Sequence, residues 1–185
     1  MSPIEALLSR YSLGGKYLVD PGPTAQELQW IVQAALRAPD HGELTPFRIC
    51  AIQGQARSRL AALFVDYAKR SGKSPESILI ERERASLVPT TLAVIARIDM
   101  HHPLVPAHEQ WMCVGGAITN ILNCLHALGF AGKMLSGGKV RDPEISKAFC
   151  TTGEVLVGWI GIGTPTHSPR EHITKSIDQT LSFFN

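Results

Sequence analysis

The sequence predicts an α/β or α+β domain in which helices cover a mixed sheet, and three observations carry that prediction. Runs at 47–53, 91–98, 130–135 and 154–163 read as strands, the second of them apolar and rich in β-branched residues. Stretches with helical periodicity lie between them, so strands and helices interleave along the chain. The 185 residues are 44% hydrophobic and 18% charged, without an internal repeat, low-complexity tract or linker. That composition suits one domain over 1–185 with a sizeable core and is too apolar for disorder.

Taken in order, residues 3–9 read as a short helix, followed by a glycine-containing segment over 10–23. Thr24-Ala25-Gln26-Glu27 is a capping box directly after Pro23. Leu28, Ile31, Val32, Ala35 and Leu36 then fall on one helical stripe, with Gln26, Gln29, Gln33 and Arg37 opposite. Pro39 ends that helix, because the residue before a proline is disfavoured in the α region. Residues 56–70 form an amphipathic helix stopped by Gly72. Ser74-Pro75-Glu76 starts another, whose Glu81-Arg82-Glu83-Arg84 run marks it as an exposed lid. The long helix over 109–128 is apolar nearly all round, the mark of burial on several sides. Gly116, Asn120, Asn123 and Ala127 give it a small face, open to a second helix from this chain or from another subunit. A short helix over 142–149 precedes the last strand.

Composition excludes several functions. Eighteen Lys and Arg against sixteen Asp and Glu leave a charge of +2, with no basic run longer than two residues, unlike a nucleic-acid binder. The low charge fraction fits surface covered by a partner subunit. The opening Met1-Ser2-Pro3-Ile4-Glu5 lacks the basic start and apolar run of a signal peptide. Cys50, Cys113, Cys124 and Cys150 are widely spaced, as expected of cytoplasmic core thiols. The stretch 111–128 is interrupted by Thr119, Asn120, Asn123 and His126, so it reads as a buried helix and not a membrane span. His101-His102 has no carboxylate or cysteine set around it, and no metal site is expected. Walker, G-x-S-x-G, H-E-x-x-H and Rossmann signatures are missing.

Three segments carry possible chemistry. Arg10-Tyr11-Ser12 places a guanidinium and a hydroxyl before a glycine loop, a combination able to grip a phosphate. Arg37-Ala38-Pro39-Asp40-His41 joins a helix end to a fixed turn. Ser136-Gly137-Gly138 follows a strand, where backbone N–H groups can approach an anion or a ring edge. Each alone is equally compatible with an ordinary surface or turn.

Their order and spacing, with Thr45-Pro46-Phe47, Glu109-Gln110, Gly129-Phe130-Ala131-Gly132 and Gly158 to Gly163-Thr164-Pro165, resemble the FMN-dependent nitroreductase family. The likeness is greatest to its short single-domain branch of NAD(P)H nitroreductases. The resemblance implies an α+β fold whose mixed sheet is flanked by helices. It also implies a homodimer interlocked through the long helix and C-terminal extensions, with FMN at the interface. On that basis Arg10 meets the FMN phosphate, Ser12 assists it, and the Tyr11 backbone lies alongside. Arg37 and His41 reach the cofactor from the partner chain, while Met134, Leu135, Ser136 and Gly137 lie beside its ring or ribityl chain.

The chain departs from the family in three places. Met134-Leu135-Ser136 stands where Trp-Arg-Ser is common, Thr45 where a glutamine is usual, and Gly14 where a basic residue often sits, with Lys16 two positions on. The resemblance further implies two-electron ping-pong transfer, from NAD(P)H through flavin N5 to a nitroaromatic, quinone or similar small acceptor. No catalytic side chain is then required, and Lys16 or Arg37 is a candidate for stabilising charge near N1 and O2. The alternative is a flavin-binding, redox-responsive protein without nitroreductase turnover. Arg170, His172 and Lys175 are candidates for an added phosphate contact.

Overall fold

A computed structural model describes residues 2–167 and 176–184; Arg170, His172 and Lys175 lie outside the described residues. Helix α1 (Pro3–Ser9) opens on a capping box in which Ser2 and Glu5 satisfy each other's backbone N–H groups. A 3-10 turn over Gly15–Tyr17 leads into β1 (Leu18–Val19), too short for any sequence pattern to reveal. Helix α2 (Ala25–Ala35) starts on the Thr24/Glu27 capping box. Then come β2 (Phe47–Ile52), α3 (Ala56–Arg70), α4 (Pro75–Leu87), β3 (Thr90–Arg97), α5 (Ala107–Ala127), β4 (Ala131–Leu135), α6 (Pro143–Phe149) and β5 (Glu154–Pro165). Among the described residues no helix is long and apolar enough to cross a membrane.

The strands form one sheet in the order β1-β5-β3-β2, with β4 also pairing β5. The expected α+β class is what is found, but the sheet is not mixed in the way the interleaved sequence suggested. Among the described residues all four strand pairings are antiparallel, and the parallel contact is an isolated bridge between Ser12 and Gly132. Interleaved helices need not act as parallel crossovers, because loops here also return strands antiparallel.

Strand β3 explains the two-layered core. Leu92, Val94 and Ala96 face the cluster made with α2 and α5, through Ile31, Ala35, Val114, Ala117 and Ile121. Ala93 and Ile95 point the other way, toward Leu60, Phe64, Ala85 and Ile145 of α3, α4 and α6. A strand buried on both faces reads as one continuous apolar run, as this one does. Each fully buried Ile or Leu contributes on the order of 1.5–3 kcal/mol.

Strand β5 needs a correction of phase to serve both layers. Val94 pairs with Gly158 and Ile95 with Leu156, so Val157 is the extra residue of a β-bulge. The bulge lets Leu156 and Trp159, three residues apart, face the same layer.

One sequence expectation is revised, and one left open between two alternatives is answered in part. Helix α4 is not simply an exposed polar lid. Glu81 is only 5% exposed and is clamped by Lys73 Nζ at 2.7 Å and by Lys139 Nζ, while Ala85 is buried beneath it. The small face of α5 is met from within the chain at Gly116 and Asn120, while Asn123 and Ala127 border a groove shared with α1. A Cβ on Gly116 would lie 3.2 Å from that of Ala38, and Asn120 Nδ2 donates to the Ala34 carbonyl at 3.1 Å. The exposed face of α5 is instead the one carrying Trp111, Met112, Gly115 and Thr119.

Candidate functional site

Helix α1 stops at Ser9, where Arg10 turns to an extended conformation and the chain runs alongside the start of β4. Ser12 bridges Gly132, and Leu13 N–H donates to the Gly132 carbonyl at 3.2 Å. Buried Leu13 anchors this strip in a small cluster with Leu18, Val88 and Ala131. From Gly132 the backbone continues through Met134 and Leu135 to Ser136 and Gly137. Two segments about 120 residues apart in sequence thus meet at one sheet edge.

His126, in the last turn of α5, organises the strip. Its Nε2 lies 2.9 Å from Ser9 Oγ, and its ring meets Tyr11 edge-on at 5.6 Å. Burial, and then the nearby Arg10 guanidinium, hold the imidazole below its ordinary pKa. Burial likewise pushes the Tyr11 phenol upward. Arg10 is half-buried and has no ion-pair partner among the described residues, and the Ser12 side chain is exposed. A guanidinium without an ion-pair partner among the described residues, two positions before an exposed serine, suits an anion.

The Ser136 turn is held from behind. Gly137 has φ +117° and open space where a side chain would stand. A Cβ on Gly138 would come 2.3 Å from the Tyr67 hydroxyl, so a side chain there would have to displace the Tyr67 ring from its place beside the turn. Lys139 then ties the following turn to Glu81 on α4. Burial raises the Glu81 carboxyl, but the hydrogen bonds and charges of Lys139 and Lys73 outweigh it, leaving a net lowering. A cavity of about 220 Å³ lies against Leu135 and Ser136, with Glu81, Lys139, Val88 and Trp159 in its walls. The Trp159 indole N–H is buried without a hydrogen-bond partner among the described residues.

Arg37 and His41 are not brought to this edge in the same way. Arg37 is exposed and lines a groove of about 390 Å³ between α1, α2 and α5, with Leu7, Asn120 and Cys124. His41 lies in a 3-10 turn whose neighbours Gly42, Glu43 and Thr45 have φ values of 75°, 54° and 48°. Asp40 Oδ2 accepts the Thr45 N–H at 2.7 Å and stabilises that left-handed turn. Burial, and then Asp40, push the adjacent Cys113 thiol up to about 11. His41 Nδ1 meets Glu109 Oε2 at 2.6 Å in the first turn of α5. Glu109 and His126 are seventeen residues apart on that helix, about 25 Å at 1.5 Å per residue. Within one chain, therefore, His41 and the Arg10 strip stand at opposite ends of α5.

Several features were invisible to sequence reasoning. His126 looked like an interruption of an apolar run, because its partner Ser9 is 117 residues away. In Glu109-Gln110 only the glutamate faces His41. Gln110 is buried and closes the preceding loop through Asp99 and Val105. His102 accepts backbone N–H groups from Leu104 and Val105 at Nδ1, a turn-forming role. Lys16 sits 4.6 Å over the Tyr17 ring.

Comparison with known proteins gives a consistent result. A model described as the nitroreductase family matches residues 7–164. An Escherichia coli (strain K12) protein named "Putative NAD(P)H nitroreductase YdjA" is 32% identical over 166 residues, covering 89% of each chain. A nitroreductase-like family protein from Bacillus cereus shares the fold with a TM-score of 0.81 at 18% identity, over 100% of this chain and 96% of that one. A Desulfovibrio desulfuricans protein described as "a putative nitroreductase in complex with fmn" superposes with a TM-score of 0.75 at 14% identity, over 100% of this chain and 98% of that one.

Proposed function

The chain belongs to the nitroreductase family, and on that premise we propose that it is an FMN-dependent NAD(P)H oxidoreductase acting as a homodimer on nitroaromatic, quinone or similar acceptors. The observation that carries this reading is the Ser12–Gly132 bridge. It aligns an unpaired arginine and a hydroxyl with a strand that runs into the open Leu135–Gly137 turn. An anionic tail and a flat ring joined by a short chain fit that donor set in that order.

Bound FMN supplies hydride acceptance from NAD(P)H and onward two-electron transfer. The protein's own residues bind and orient. Arg10 and Ser12 hold the phosphate, with Arg10 fixed laterally by the packing of Ser9 and Tyr11 on His126. Leu135, Ser136 and Gly137 border the ring, and the backbone of Gly137 admits close approach because no Cβ intervenes. Met134 is half-buried and packs against the sheet core, so it acts from behind.

The dimer is supported by two features. His41 stands about 25 Å along α5 from the Arg10 strip. A two-fold axis crossing α5 would reverse the partner helix and bring the partner's His41 end to this chain's strip. Met112, on the exposed face of α5, is itself 71% exposed, an uncovered apolar side chain that a second copy would cover. Four unpaired cysteines support a cytoplasmic setting.

The test is direct. Purified protein is expected to be yellow and dimeric, and to oxidise NADH or NADPH faster when a nitroaromatic or quinone is added. A yellow dimer without that stimulation would favour the flavin-binding module without turnover, the reading favoured by Met134-Leu135 in place of an aromatic and a basic residue. A colourless protein that cannot be reconstituted with FMN would refute both.

A further inference from the structure

We propose that Glu109 is a positioning residue for His41, holding its imidazole with Nδ1–H toward α5 and the Nε2 lone pair outward as an acceptor for an N–H or O–H donor of the cofactor bound between two copies. The inference rests on the flavin reading above and adds a polarity to one side of that site. An ionised carboxylate can only accept, so the 2.6 Å contact between Glu109 Oε2 and His41 Nδ1 requires the proton on Nδ1. A neutral imidazole so held presents Nε2 as a bare acceptor. Unassisted histidine prefers the opposite tautomer, so the pair imposes a choice on the ring.

The pair is poorly suited to a purely stabilising role. The side chains are 60% and 36% exposed, and ion pairs at that exposure contribute little to folding. Yet both ends are held firmly. Glu109 sits in the first turn of a 21-residue helix, where the amide dipoles favour a carboxylate. His41 is carried by a turn with two non-glycine residues, Glu43 and Thr45, in the left-handed region. Asp40 is already engaged with the Thr45 N–H, which leaves Glu109 as the carboxylate paired with the ring. Strained backbone supporting an exposed, oriented ring is a pattern of ligand-facing sites.

The experiment compares wild type with Glu109→Gln, whose amide N–H can donate to Nδ1 and so move the ring proton to Nε2. Long-range proton–nitrogen spectra of labelled protein, taken about two pH units above the ordinary histidine value of ~6.5, report the His41 tautomer without any cofactor. FMN titration by fluorescence quenching reports the consequence. Nδ1–H in wild type, Nε2–H in Glu109→Gln, and roughly tenfold weaker FMN binding by the variant are expected. On a His41→Ala background the Glu109 change should then have no further effect on FMN affinity. An unchanged tautomer, unchanged FMN affinity, or an equal loss without His41 would each overturn the proposal. A wild-type protein that takes up no FMN would instead refute the flavin reading and, with it, the cofactor role assigned to the pair.

Discussion

Gly158 lies so close beneath the end of β4 that a Cβ on it would stand 2.3 Å from the carbonyl oxygen of Leu135. The same residue follows the bulged Val157, so one glycine both resets the phase of β5 and seats the strand that carries the Ser136 turn. Gly158→Ala must push Leu135 outward. The substitution is expected to destabilise the fold by about 1–3 kcal/mol and to weaken FMN uptake beyond that loss. Urea denaturation and flavin titration check the two effects, and unaltered values in both would show that the contact relaxes freely.

Arg10→Ala removes the cation proposed for the phosphate. FMN affinity should fall roughly ten- to a hundredfold, equivalent to about 1.5–3 kcal/mol for a charge-assisted contact. Riboflavin, which lacks the phosphate, should bind wild type and variant alike. Equal weakening of both ligands would move Arg10 away from the phosphate.

Met112→Glu places a carboxylate on the exposed face of α5. Sedimentation equilibrium should find a dimer for wild type and a chain of 20.1 kDa for the variant, with flavin content lost in parallel. A dimer that survives this change would put the interface elsewhere.

Glu154 gathers Arg48 at 2.6 Å, Arg97 at 2.8 Å and the Thr151 N–H at 2.9 Å. The Arg48 hydrogen bond, then the Thr151 backbone, against opposing desolvation and with Arg97, hold its carboxyl far below the ordinary 4.5. A carboxyl lowered by folding stabilises fully above its unfolded value, and the contribution is lost as pH falls through the folded one. Urea midpoints should therefore be level above about pH 5 and decline below it, less steeply in Glu154→Gln. Parallel acid limbs would mean that Glu154 does not carry the effect.

Much of this fold is legible in the sequence where the signal is local. The Thr24 and Ser74 caps, the Gly72 stop after α3 and the apolar run of β3 sit within a few residues of the boundaries they specify. What escapes are relations between distant residues. The charged run of α4 gives no hint that Glu81 is buried, because Lys139, which neutralises it, comes 58 positions later. The small face of α5 announces close packing but not that Ala34 and Ala38 provide it. For the site, the three segments could be named, whereas the bridge from Ser12 to Gly132 and the distance separating His41 from Arg10 depend on pairing no local pattern encodes.

Strand β5 hydrogen-bonds to three others, β1, β3 and β4, and it is the last regular element among the described residues. Until it is synthesised, β3 has one edge unpaired and β4 has no strand partner at all. Unpaired edges on a half-made sheet are sites for misassociation. Nascent chains halted before Glu154 should accordingly depend on chaperones, and the ribosome must deliver nearly all of the described domain before the sheet can close.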